Sequence, residues 1–146
     1  MFITNVTPRF GDIDALRHVN NTVVPNWFEQ ARNEFYRFFN PQLDFDIWNL
    51  ILVRIEVDYV SQMFYGKDVE IHSWVSKIGK SSFEVSQEAC QEGRIAAKGK
   101  VVIVYFDFEK QKSKEIPELI KEKLSRVKHE MQMIQTSIIV ENQVSN

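Results

Sequence analysis

Hydrophobic and polar positions along the chain sort into one aromatic helix, a run of alternating strands and a second helix. Phe2 to Phe10 reads as a short first strand, ended by Pro8 or Gly11, and residues 12–24 are polar and irregular. From Pro25 to Phe39 the apolar positions follow a helical period: Trp27, Phe28, Ala31, Phe35, Phe38 and Phe39 share one face, with Asn26, Gln30, Asn33, Glu34 and Arg37 opposite. Pro25 suits a first helical turn, and Asn40-Pro41 stops the helix. Four segments of period two follow. Val53, Ile55, Val57 and Tyr59 alternate with Arg54, Glu56 and Asp58. Val69, Ile71, Ser73 and Val75 alternate with Glu70, His72 and Trp74, and Phe83, Val85, Gln87 and Ala89 with Glu84, Ser86 and Glu88. The last segment begins with Lys98 and Lys100 on one side and becomes continuously apolar from Val101 to Phe106.

The connections Tyr65-Gly66-Lys67-Asp68, Ile78-Gly79-Lys80-Ser81 and Gln91-Glu92-Gly93 are short and carry glycine, so the strands form an antiparallel meander. One helix followed by such a sheet predicts an α+β domain with the sheet's apolar face over the aromatic helix. After Pro117 a second helical stripe runs through Ile120, Leu124, Val127, Met131 and Ile134. One domain over residues 1–134 and a loose tail over 135–146 account for the chain.

Composition narrows the function. The chain has 146 residues and a formal net charge of −2, which gives no bulk attraction to nucleic acid or anionic membranes. Cys90 is the only cysteine, which rules out an internal disulfide and fits a reducing compartment. No apolar run approaches the roughly 20 residues that span a bilayer, and the N-terminus lacks a signal-peptide pattern. A cytoplasmic protein is expected.

The chemistry is concentrated in Arg9-Phe10-Gly11-Asp12-Ile13-Asp14-Ala15-Leu16-Arg17-His18-Val19-Asn20-Asn21, just ahead of the aromatic helix. Hydrolysis of an ester or thioester needs a base or carboxylate nucleophile beside the carbonyl carbon and N–H dipoles aimed at its oxygen. A helix start supplies free N–H groups. The same residue types also gather in loops because they cap helices and stabilise turns.

This stretch resembles the signature of the 4-hydroxybenzoyl-CoA thioesterase-like branch of the hotdog superfamily, a group of bacterial acyl-CoA thioesterases. The matching residues are Phe10, Asp14, His18-Val19-Asn20-Asn21 and Trp27-Phe28-Glu29-Gln30-Ala31-Arg32, without gaps. Tyr59 to Asp68, Gly79-Lys80-Ser81-Ser82-Phe83 and Ile116-Pro117-Glu118-Leu119 are similar to later family segments, so the likeness spans about residues 3–127. It implies a hotdog fold, with an antiparallel sheet of about five strands wrapped around one long central helix, and a C-terminal helix. It implies hydrolysis of acyl-CoA to a free acid and CoA. Asp14 would be base or nucleophile, His18 would lie at the active-site edge, and the Asn21 backbone N–H would be the oxyanion donor. The hairpin Lys80, Ser81, Ser82 would hold the CoA phosphates. Arg17 and Val24-Pro25 depart from the family's usual residues at the pocket mouth.

Around this core sit weaker candidates. Asp12 reads as a loop residue, and Glu29 with Arg32 as a structural helix pair. His72 and His129 stand apart from other ligand types, so no metal site and no cofactor beyond substrate CoA is expected. Arg54, Lys77, Lys98 and Lys100 could add charge for a phosphate, though strand edges often carry lysine. Two other readings remain: an acyl carrier protein thioesterase, and a hotdog protein that binds acyl-CoA without cleaving it. The apolar Val101–Phe106 run predicts burial on both its faces, and with the resemblance it predicts a homodimer or homotetramer whose sites are built from two subunits.

Overall fold

The computed structural model describes residues 1–128. β1 (Phe2–Val6) leads through a 3-10 turn (Phe10–Asp12) and an irregular loop to α1 (Val23–Ala31) and α2 (Asn33–Phe39). Strands β2 (Leu50–Tyr59), β3 (Val69–Ile78), β4 (Ser82–Gln91), β5 (Arg94–Asp107) and the two-residue β6 (Lys112–Ser113) follow, and residues 118–128 are helical. The sheet is antiparallel, in the order β1-β3-β4-β5-β2, with β6 pairing the end of β5. Register brings inner-face residues into rows, among them Ile71 beside Ala89 and Val75 beside Val85, itself beside Val101. The alternation of β3 and β4 therefore translates into one buried apolar face, as expected. The tail over 135–146, together with His129, Met131 and Ile134, lies outside the described residues.

The long central helix expected over Pro25–Phe39 is instead two helices meeting at Arg32, whose backbone sits at φ −87°, ψ −5°. The reason is a polar side chain from the sheet. In an unbroken helix the Phe28 carbonyl would accept the Arg32 N–H. Here it accepts Nε2 of Gln87 at 2.9 Å, and the Arg32 N–H turns to Glu29 O at 3.0 Å, a tighter i to i−3 closure. The break also divides the core. Val24, Trp27, Phe28 and Ala31 of α1 pack with Val69, Ile71, Ala89, Ala96 and Ala97. Phe35, Tyr36 and Phe39 of α2 pack with Phe83, Val85, Val101 and Ile103 and, from the last helix, Leu124 and Val127. α1 packs tightly on the sheet at Gly99, where an added Cβ would lie 2.6 Å from Phe28 Cε2.

Two further expectations change. β5 is a central strand between β4 and β2. Its inner residues Val101 and Ile103 are buried, while Val102 and Val104 on the outer side are only half-buried. The continuously exposed apolar strand is β2, at the sheet edge, where Ile51, Leu52, Val53 and Ile55 all face solvent. A bulge at Val53, between Leu52 and Arg54, shifts the alternation, so the half-buried pattern read from Val53 onward does not hold. Glu29 and Arg32 do not pair either. Arg32 is 1% exposed and donates to the Tyr36 hydroxyl at 2.9 Å and to Gln87 Oε1 at 3.1 Å, with no carboxylate partner among the described residues; Glu29 is exposed.

Candidate active site

Between β1 and α1 the chain folds into a loop held by its own backbone. Ile13 and Val19 form an isolated antiparallel bridge, the Asp14 N–H donates to His18 O at 2.8 Å, and Arg17 closes the turn at φ 67°. This is a left-handed position, which glycine adopts with less strain than arginine.

The two aspartates take separate roles. Asp12 is 3% exposed; Oδ2 accepts the Arg9 N–H at 2.8 Å, Oδ1 accepts Arg9 Nη2 at 3.0 Å, and its carbonyl accepts the Asn20 N–H at 2.7 Å. The Arg9 side-chain bond holds the Asp12 carboxyl below its ordinary pKa, against the opposing effect of burial. Asp12, read from the sequence as a loop residue, is a buried clamp within that loop. Asp14 is half-buried, and its Oδ1 accepts the N–H groups of Leu16 at 2.8 Å and His18 at 3.3 Å. Its second oxygen has no protein partner among the described residues. Asp14 thus has one oxygen fixed and one free, the condition of a positioned base or nucleophile.

His18 is half-buried, with its ring edge-on to Phe64 at 5.4 Å between centroids. Beyond it, Asn20 builds the turn into α1: its Oδ1 accepts the Thr22 N–H at 2.9 Å and Oγ1 at 2.8 Å, and its carbonyl accepts the Val23 N–H at 3.0 Å. The Asn21 N–H finds no acceptor among the described residues, while the Asn21 carbonyl accepts the Tyr59 hydroxyl at 2.5 Å. Asp14, His18 and Asn21 therefore share one loop, with a free carboxylate oxygen and a free N–H at its two ends.

Lys80, Ser81 and Ser82 are elsewhere. Their hairpin joins β3 to β4, with the Lys80 carbonyl accepting the Ile116 N–H and the Ser82 carbonyl accepting the Gly79 N–H. The Asp14 loop sits at the opposite end of these strands, against residues 60–68 that lead into β3. The ten-residue length of β3 sets the separation at about 30 Å. Within one chain the structure does not bring the two groups together. Of the other basic candidates, Lys98 lies between Asp58 and Glu88, Lys100 between Glu56 and Ser86, and Arg54 pairs with Glu56, while Lys77 stands opposite Glu84 at the hairpin end of β3. No group of three or more His, Cys, Asp or Glu among the described residues is placed to hold a metal.

Sequence reasoning missed Tyr59, Phe64 and Gln91 as parts of this site. Gln91, 4% exposed, clamps the loop bearing Phe64: its amide donates to Phe64 O at 2.9 Å and Lys67 O at 3.0 Å and accepts the Phe64 N–H at 2.9 Å. Next to that clamp, Met63 O accepts the Val19 N–H at 2.8 Å. A signal existed. Gln87 and Gln91 both fall in the apolar phase of β4, and a polar residue there needs a buried partner.

An antiparallel sheet curled over buried helices, with the candidate loop at a helix start, is the architecture of a hotdog domain. Comparison with known proteins agrees: the thioesterase-like superfamily matches residues 8–124, and the chain belongs to that superfamily. It is similar to a predicted thioesterase from Bacillus stearothermophilus, with 41% identity and a TM-score of 0.84 over 86% of this chain and 95% of the other. A thioesterase from Thermus thermophilus, complexed with coenzyme A and Zn, is 30% identical with a TM-score of 0.75, over 84% of this chain and 95% of that one. Among curated sequences, the uncharacterized protein YsmA of Bacillus subtilis (strain 168) is 25% identical over 113 residues, 77% of each chain. Thioesterase activity is the function this membership supports. No helix among the described residues is long and apolar enough to cross a membrane.

Proposed function

We propose that the protein hydrolyses acyl-CoA thioesters, with CoA entering only as part of the substrate. The observation that carries this reading is the pairing, in one loop, of the Asp14 carboxylate with a free oxygen and the unpartnered Asn21 N–H at the approach to α1. The thioester oxygen would accept the Asn21 N–H, and α1's dipole would favour negative charge there. Asp14 then acts in one of two ways. As a base it takes a proton from water, whose oxygen bonds to the acyl carbon. As a nucleophile it bonds to that carbon itself, and the mixed anhydride is opened by water. Either way the carbon–sulfur bond breaks, the thiolate takes up a proton and a free acid is left. His18, beside Phe64, borders the acyl side. The coenzyme A held by the Thermus thioesterase supports CoA as the thiol.

The remoteness of the Lys80 hairpin from Asp14 within one chain supports a site completed by a second copy. β2 is the strand to join it, because an exposed apolar edge with unpaired N–H and C=O groups is a template for pairing. The test is a thiol-release assay over aryl-, short- and long-chain acyl-CoAs. Asp14→Asn keeps size and shape but removes base and nucleophile, and turnover should fall by about 10²–10⁴-fold. Wild-type turnover by Asp14→Asn refutes the assignment. Mixing Asp14→Asn subunits with Lys80→Ala subunits should restore a site with the wild-type KM, read as activity at low substrate; light scattering that shows a fully active monomer refutes the shared site.

A further inference from the structure

We infer that Tyr59 is a positioning residue that aims the Asn21 N–H, an inference that rests on the thioesterase reading above. Tyr59 ends β2, opposite Ala97 of β5, and its hydroxyl reaches 38 residues back along the chain to donate to the Asn21 carbonyl at 2.5 Å. That is the short end of the range for O–H···O bonds. An N–H can stabilise a developing oxyanion only if its direction is fixed before reaction, and Asn21 precedes α1, where the helical ladder does not yet fix the backbone.

Two peptide planes flank the Asn21 Cα. The preceding plane carries the free N–H, and its Asn20 carbonyl is pinned by the Val23 N–H at 3.0 Å. The following plane, between Asn21 and Thr22, is pinned at its N–H by Asn20 Oδ1 and at its carbonyl by Tyr59. Every one of these bonds except the last comes from residues 20–23 themselves. Among these hydrogen bonds only that of Tyr59 ties the turn to the sheet, so the N–H is aimed relative to the rigid body of the domain and not merely within its own loop. A phenol is already protonated at neutral pH, and desolvation raises the Tyr59 pKa further above its ordinary value, so the hydroxyl acts as the donor. Nothing in the local sequence hints at this role beyond the strand position, since a tyrosine ending an edge strand is an ordinary β residue.

Tyr59→Phe isolates the bond, because it removes one oxygen and leaves the ring. Steady-state thiol release should show kcat lowered about tenfold with KM within twofold, since the aim of the N–H matters in the transition state and little in substrate binding. The melting temperature should stay close to wild type, and the Thr22 backbone amide 15N resonance should move as its carbonyl partner loses a donor. Tyr65→Phe, which removes a nearby phenol hydroxyl outside this turn, should leave kcat unchanged. An unchanged kcat in Tyr59→Phe overturns the inference, as does a fall in kcat that Tyr65→Phe reproduces. A parallel loss of melting temperature with a rise in KM overturns it as well, by showing a general structural role. Wild-type protein that releases no thiol from any acyl-CoA overturns the thioesterase reading first and takes this inference with it.

Discussion

Gly99→Ala should injure both stability and turnover, because the glycine is where α1 rests on the sheet. The new methyl would stand 2.6 Å from Cε2 and 2.8 Å from Cδ2 of Phe28, a ring that is 1% exposed in the α1 cluster. Ordinary carbon–carbon contact at about 3.5–4.0 Å requires the ring to retreat by about 1 Å. Phe28 cannot swing freely between Trp27, Ala31 and the sheet, so α1 carries the displacement. Overpacking of this kind costs about 1–3 kcal/mol. Replacing a strand glycine returns about 0.5–1 kcal/mol, so the net cost lies at the lower end of that range. For a chain of 146 residues this lowers the melting temperature by a few degrees. The effect on turnover is larger in proportion. Asn21 leads into α1, and a misplacement near 1 Å can cost about a hundredfold. Calorimetry with thiol-release kinetics measures both. The Phe28→Ala background supplies the control: it removes both clashing ring atoms, so Gly99→Ala should then cost less than about 0.5 kcal/mol. Equal cost in the two backgrounds refutes the clash as the cause.

Lys80→Ala should raise KM for acyl-CoA and weaken product inhibition by free CoA while kcat stays nearly constant, because a phosphate contact far from the carbonyl binds substrate and transition state alike; unaltered KM and CoA inhibition would move the phosphate site elsewhere. Asp12→Asn should leave more turnover than Asp14→Asn and should lower stability, with a pH signature. The folded Asp12 carboxyl has a lowered pKa, so its contribution is fully present above the ordinary value of 3.8 and is lost as pH falls through the folded value. The melting-temperature gap between wild type and Asp12→Asn should therefore be constant near neutrality and close below about pH 4; a gap that widens in acid contradicts the assignment.

Where period and turn chemistry decided the outcome, the fold was legible. β3 and β4 lie within a few residues of their alternating segments, since each has a neighbour on both sides and a buried inner face. Two things were hidden. Periodicity saw one helix over Pro25–Phe39 because Trp27, Phe28, Ala31, Phe35 and Phe39 remain in phase on both sides of the break. The break itself is imposed by Gln87, 55 residues beyond Arg32, and no local pattern reports it. Likewise, the alternation after Val53 looked like a half-buried strand. Whether such a strand is covered depends on its place in the sheet order, which the local sequence does not encode.

The candidate loop shows how a short motif separates two identical residue types. Asp12 and Asp14 are two apart, and in extended backbone they would point the same way. The 3-10 turn Phe10–Asp12 prevents that: Asp12 is its last residue, folded back on Arg9, whereas Asp14 follows Ile13, which has returned to extended backbone at φ −97°, ψ 134° to bridge Val19. One carboxylate is thereby spent on an ion pair that closes the loop. The other meets only N–H groups of its own turn and has no cation within salt-bridge distance among the described residues. A neighbouring cation would compete for the free oxygen and weaken it as a base. The buried polar seam of Arg32, Gln87 and Ser73 acts in the same direction from below. It fixes the C-terminal end of α1 through side-chain bonds of 2.9–3.1 Å, so that the loop at the opposite end hangs from a helix held at both its ends.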